Sequence, residues 1–251
     1  MSLDKLFLAF SIFDKDILQD KVEIKNPLFK RFYIYKNSSR AYVLLAPWHA
    51  NPFAFYALKN KILKSGFSCV LYNFIPDILS PDVGGTRQYF EIIAEQIKED
   101  LREFQTRYKI SRFVLVGFSL SCVTASMVAS FNKVVEGVVF VVPGSSLAKS
   151  LWSGLRTVNI RRVMEKSKAT LLYLERGWEN LAPKKYAEGF KDKRVKIILS
   201  QSDVIIPYSL GREFADAVKE FVPTAVIEEN RYLGHYGTIL KFCFVSKEVL
   251  I

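Results

Sequence analysis

Several short stretches of this chain are apolar at nearly every position, and between them apolar residues return at three- and four-residue steps. Ala41 to Pro47 has the first pattern most fully, Phe67 to Phe74, Phe113 to Val116 and Glu136 to Val142 approach it, and Arg194 to Ser200 has strand composition around Ile197, Ile198 and Leu199. A strand covered on both faces by helices loses the alternation of a half-exposed strand, so these runs are predicted to be buried strands. Phe53 to Ser65 has helical spacing until Gly66, and Tyr208 to Phe221 is amphipathic. The helix opened by Thr86 is the clearest, with Tyr89, Phe90, Ile93, Ile97, Leu101 and Phe104 on one face and charges between them. Thr224 to Glu228 reads as a strand and Tyr236 to Leu250 as a last helix. Residues 20 to 36, around Asn26-Pro27, suggest a peripheral hairpin, and Pro76 to Gly85 a loop.

Alternating strands and helices imply an α/β class with a mostly parallel sheet and helices on both faces. Loops leaving the carboxyl ends of such strands gather on one edge, where ligands bind. Residues 145 to 183 interrupt the rhythm. Ala169 to Leu174 has strand composition, yet Val163, Ala169, Leu172 and Leu181 support helical spacing in part. A small helical cap over the sheet edge is the favoured reading. With no linker-like stretch, residues 1 to 251 are expected to form one domain.

Composition narrows the classes. Half of the residues are hydrophobic and 24% charged, the balance of a globular protein rather than a disordered one. Net charge is +11, but the basic residues are scattered among Lys30 to Lys36, Arg156 to Lys168 and Lys184 to Lys196, none of which resembles a nucleic-acid-binding arm or recognition helix. A weak association with anionic surfaces stays open. Cys69, Cys122 and Cys243 are odd in number and sit in apolar segments, so no disulfide framework is implied and a reducing compartment suits them. The N-terminal segment has an early acid and no small-residue cleavage site, and no apolar run approaches the roughly 20 residues of a membrane span. The expectation is a cytoplasmic protein without a transmembrane segment. Oligomeric state leaves no mark in the sequence.

Candidate chemistry sits at the end of the third buried run. Phe113-Val-Leu-Val-Gly-Phe-Ser119-Leu-Ser121 is a strand stopped by a glycine and a serine, followed by the small residues Cys122, Ala125, Ser126 and Ala129 of a helix pressed close to the sheet. This is the pattern of a nucleophile elbow. A serine hydroxyl needs a base, and the base a carboxylate to orient it. Two histidines exist. His235 lies between Gly234 and Gly237 in a loop after the last strand, and His49 follows the first central strand, better placed to line a site. Asp203, in the turn after the strand 194 to 200, is the preferred acid; Glu175 is second, conditional on 169 to 174 being a strand.

The order Ser119, Asp203, His235 resembles the α/β-hydrolase family over roughly residues 20 to 250. That resemblance implies about eight strands, a nucleophile after the fifth, and an acyl-enzyme mechanism on a carboxylic ester or thioester with no cofactor and no metal. It also implies oxyanion donors at Leu120 and in the loop after Pro47, from Trp48 or His49. The family elbow is Gly-x-Ser-x-Gly, and here Ser121 stands at the second glycine. An acyltransferase using the same triad, or a non-catalytic binding protein of the same fold, are the alternatives. Trp152, Trp178, Tyr208 and Tyr236 are aromatic candidates for an acyl pocket.

Overall fold

A computed structural model describes residues 28–33, 38–48, 53–74, 79 and 82–245. Its described strands are β1 (Leu28–Tyr33), β2 (Arg40–Leu45), β3 (Ser68–Phe74), β4 (Arg112–Phe118), β5 (Val135–Val141), β6 (Arg194–Ser200) and β7 (Val226–Asn230). They form one sheet in the order β1-β3-β2-β4-β5-β6-β7. All neighbours are parallel except β1, which runs antiparallel to β3. Among the described residues the sheet therefore has seven strands rather than about eight, and Ser119 follows the fourth of them. The expected hairpin is described only at Leu28–Tyr33, which pairs with β3; its remaining residues lie outside the described ones.

Successive residues of each central strand serve two separate cores, which is why these strands read as continuous apolar runs. Val43, Leu45, Leu115, Val138, Phe140 and Ile197 face one core, filled by Phe90, Ile93, Ile97, Leu101 and Phe104 of one helix and Phe214 of another. Tyr42, Leu44, Val114, Val116, Phe118, Val139 and Val141 face the other, with Phe55, Leu58, Ile62, Ile239 and Phe242. The helices are α1 (Phe53–Lys64), α2 (Val83–Tyr108), α3 (Cys122–Ala129), α4 (Leu147–Ser153), α5 (Val158–Lys166), α6 (Leu171–Gly177), α7 (Tyr208–Phe221) and α8 (Gly234–Phe244). Thus α1 and α8 cover one face, and α2 and α7 the other.

The elements differ from the periodic reading at several points. The long helix begins at Val83 instead of Thr86, because the Thr86 N–H already bonds to the Asp82 carbonyl. The last strand starts at Val226 because a turn from Val222 to Ala225, carrying Pro223, occupies the chain before it. The segment that could be strand or helix is helical: Thr170 Oγ1 accepts the Tyr173 N–H and caps α6. That places Glu175 inside a helix, away from any strand end.

The helical segment between β5 and β6 is tied down on both sides. Trp178 is fully buried and donates from Nε1 to the Val83 carbonyl at 2.8 Å, fixing it to the start of α2. Glu213 of α7 accepts from Ser145 at 2.7 Å and meets both Lys149 and Lys184. No helix of the described residues is long and apolar enough to cross a membrane.

Candidate active site

The sharp turn after β4 depends on what is missing from Gly117. A Cβ there would stand 2.8 Å from Ala125 Cβ and 3.1 Å from Cys122 Cα, so only glycine lets α3 fold back onto its own strand. Phe118 is still extended, whereas Ser119 has φ 55°, a left-handed conformation that a residue with a side chain rarely adopts. Such a conformation costs about 1–3 kcal/mol and persists where the surroundings over-determine it. Its effect is to raise the Ser119 side chain off the end of the sheet.

Ser121, at the position of the family's second glycine, is completely buried and its hydroxyl is absorbed into the turn. Its Oγ accepts the Phe118 N–H at 2.8 Å and lies 2.5 Å from the Leu45 carbonyl at the end of β2. The extra hydroxyl therefore pins the elbow to the neighbouring strand.

The candidate acid and base follow β6 and β7, to one side of the central β4. His235 Nε2 is 2.8 Å from Ser119 Oγ, and His235 Nδ1 is 2.7 Å from Asp203 Oδ2. The second carboxylate oxygen accepts the backbone N–H groups of Ile205 and Ile206 at 2.9 and 3.0 Å, which hold the carboxylate plane. Since a carboxylate only accepts, Nδ1 carries the proton, and Nε2 is left as the acceptor facing the serine hydroxyl. Asp203 and His235 are both buried.

His235 lies in the first turn of α8 rather than in a loop, after Gly234 at φ +61°. A polar network fixes that start. Asn230 Nδ2 donates to the Leu199 carbonyl and to Thr238 Oγ1, while its Oδ1 accepts from Ser200 Oγ and the Leu233 N–H. Thr238 in turn donates to the Gly234 carbonyl at 2.6 Å, and Ser202 Oγ accepts the Gly234 N–H at 3.1 Å.

A cavity of about 370 Å³ opens at Ser119 and His235. Its apolar wall comes from Leu79, Leu147, Leu151, Ile205 and Ile206, and Pro47, Trp48, Leu120 and Tyr236 complete the approach to the serine. Of the aromatic candidates only Tyr236 lines it. Trp178 is packed in the core against α2, Trp152 packs beside the same core with its carbonyl accepting from Arg161, and the Tyr208 hydroxyl donates to Glu229 at 2.9 Å. Each of the three is taken up by packing or by a hydrogen bond away from the cavity. Of the oxyanion candidates, Leu120 and Trp48 border the serine, and His49 lies outside the described residues.

Periodicity did not mark Leu147, Leu151, Ile205, Ile206 or Arg156 as site residues. The apolar run Val204-Ile205-Ile206 after Asp203, in a turn where solvated residues are the rule, is the one available signal. Cys122, beside the elbow, is no rival nucleophile, because burial pushes its thiol well above the usual range.

No family model and no curated protein matches this sequence. Solved structures do resemble it. An esterase from Pyrococcus furiosus is 16% identical over 90% of this chain and 86% of its own, with a TM-score of 0.63. A sugar hydrolase from Lactococcus lactis is 12% identical, covering 92% and 89%, with a TM-score of 0.65. An acylaminoacyl peptidase from Pyrococcus horikoshii is 14% identical over 94% of this chain and 41% of its own, with a TM-score of 0.63. The chain has the α/β-hydrolase fold.

Proposed function

We propose that this chain, built on the α/β-hydrolase fold that it shares with esterases and peptidases, is a serine hydrolase acting on a carboxylic ester or thioester. The observation that carries the reading is Ser119, held at positive φ with its hydroxyl 2.8 Å from a histidine whose other nitrogen is fixed by a buried carboxylate. A histidine beyond reach of the serine would have favoured a binding protein; this one is within hydrogen-bond distance.

In this mechanism Ser119 Oγ forms a bond to the acyl carbon as its proton passes to His235 Nε2. The resulting imidazolium is stabilised by Asp203. Negative charge develops on the former carbonyl oxygen and is met by the backbone N–H of Leu120, with Trp48 as second donor. Collapse of this intermediate breaks the bond to the leaving alkoxide or thiolate, which takes the proton from Nε2. Water, deprotonated by His235, then attacks the acyl-serine and releases the acid and free Ser119. Residues 145 to 183 act as the cap that shapes the acyl pocket on a single domain.

The test is hydrolysis of p-nitrophenyl butyrate together with labelling by a fluorophosphonate. Both are expected in the native chain and both should vanish in Ser119→Ala. A folded Ser119→Ala protein that still hydrolyses the ester or still takes the label would overturn the assignment.

A further inference from the structure

We propose that Arg156 makes this cavity a site for esters carrying a free carboxylate several carbons from the reacting carbonyl; this deepens, and rests on, the serine-hydrolase reading. Among the described residues that line the cavity, Arg156 carries the one guanidinium, and none of them carries a carboxylate. Asp203 is buried, bonded to His235 Nδ1, and outside the lining. The wall between is aliphatic: Leu147, Leu151 and Ile206 suit an alkyl spacer. At about 370 Å³ the cavity is at the small end of ligand sites, so it fits a short spacer rather than a long lipid chain.

The guanidinium is held in a defined pose. Its Nε donates to the Tyr236 hydroxyl at 2.8 Å, and its Cζ lies 5.4 Å from the centre of the Tyr236 ring. That ring packs edge-on against His235 at 5.4 Å, so the cation stands one aromatic ring away from the base. With Nε engaged, the two terminal nitrogens remain as a fork, the geometry that pairs with a planar carboxylate.

The backbone beneath Arg156 is fixed as well. Thr157 Oγ1 donates to the Leu151 carbonyl at 2.5 Å. At Gly154 a Cβ would stand 2.6 Å from the Ile205 carbonyl and 2.7 Å from the Ser150 carbonyl. Glycine is thus required where the turn carrying Arg156 presses on the turn carrying Asp203. Arg156 is exposed, so solvent reaches its guanidinium when the cavity holds no ligand. A wholly apolar substrate would displace that water and offer nothing in return, whereas a carboxylate replaces it with charge-assisted hydrogen bonds.

Two matched pairs test this. The first is the p-nitrophenyl ester of adipic acid with its far carboxylate free, against the same ester with that group converted to a carboxamide; kcat/KM is read above the spontaneous rate. The second is the corresponding pair of p-nitroanilides, whose binding to the native chain is measured by calorimetry. The free carboxylate should favour both turnover and binding by about tenfold to a hundredfold. In Arg156→Gln the charged-to-neutral ratio should fall to near one, and in Arg156→Lys it should be partly kept. Ratios near one in the native chain, or a ratio that Arg156→Gln leaves unchanged, would overturn the proposal. Preference in binding without hydrolysis of either ester would uphold the carboxylate subsite and overturn the hydrolase reading.

Discussion

Ser119 and His235, the proposed nucleophile and base, are held by different kinds of force. Around Ser119 the restraint is mainly steric, with the buried Ser121 hydroxyl adding a hydrogen-bonded tie: Gly117 packs against Cys122 and Ala125, and nearly every residue of α3 is buried between sheet and helices. Around His235 the restraint is a set of hydrogen bonds through Asn230, Ser202 and Thr238 at the edge of the sheet. There β7 is largely exposed, and so are Tyr232, Leu233 and Tyr236. A close-packed interior transmits strain and tolerates little change in volume, whereas a polar network can lose one member and keep its fold. The serine should therefore be lost by filling space, and the histidine by deleting a donor or an acceptor.

Asp203→Asn gives the largest expected effect. An asparagine oxygen can still accept the Ile205 and Ile206 N–H groups, so the turn should survive. The amide, however, can present a donor to His235 Nδ1 and reverse the tautomer. Turnover of p-nitrophenyl butyrate should drop by about ten-thousandfold with little change in melting temperature. Loss of less than tenfold would argue that the 2.7 Å contact to Asp203 does not orient the base. Gly117→Val tests the other region in the opposite sense. Its side chain would enter space already held by Ala125 and the Cys122 backbone, costing about 3 kcal/mol of stability. Denaturant unfolding should show that loss; an unchanged midpoint would mean that α3 can move away from its strand.

The same contrast explains what could be read beforehand. Steric demands leave a local signature: a tight turn needs small residues at fixed offsets, so Gly117, Ser119 and the small residues of α3 stood out. Strand-end positions also brought out Asp203 and His235, since sheet topology gathers those loops on one edge. Tertiary approach leaves no periodic trace. Arg156 belongs to a basic cluster that reads as solvated surface, yet it lies over Tyr236 at the cavity. Trp152, Trp178 and Tyr208 have the composition of a pocket, but large aromatics fill cores equally well and these three do so or bond elsewhere. The two glycines around His235 have the composition of a loop, which sets the expected start of the last helix at Tyr236, two residues after the true one at Gly234. Only Gly234 has the positive φ that a turn requires; Gly237 is within α8.

Asn230→Ala should have an intermediate effect. It removes both donors and the Oδ1 acceptor that serves Ser200 and Leu233, leaving the start of α8 joined to β6 mainly through Ser202. Stability should fall by about 1–3 kcal/mol. Because His235 sits one residue beyond Gly234, kcat should also fall, by roughly tenfold, a penalty equivalent to about 1.4 kcal/mol in the barrier. KM for a small neutral ester should move less. A loss of stability with kcat unchanged would show that Ser202 and Thr238 hold the base without Asn230.

The smallest effect concerns acid. Glu213 extends the hydrogen-bonded half of the molecule from α7 to the segment over the cavity. Burial raises its carboxyl, but hydrogen bonds from Lys184, Ser145 and Lys149 outweigh that and bring it down to about 2. A carboxylate depressed in the folded state contributes stability that is fully present above its unfolded pKa of about 4.3. That contribution is lost as pH falls from there through about 2. Glu213→Gln should therefore lower stability at pH 6 by about 1 kcal/mol, the modest figure appropriate to partly solvated ion pairs. The difference between the two proteins should shrink steadily below about pH 4. Gly117→Val, acting through packing alone, should show a deficit that does not depend on pH over the same range. Parallel pH dependences for the two variants would erase the distinction between a half held by shape and a half held by charge.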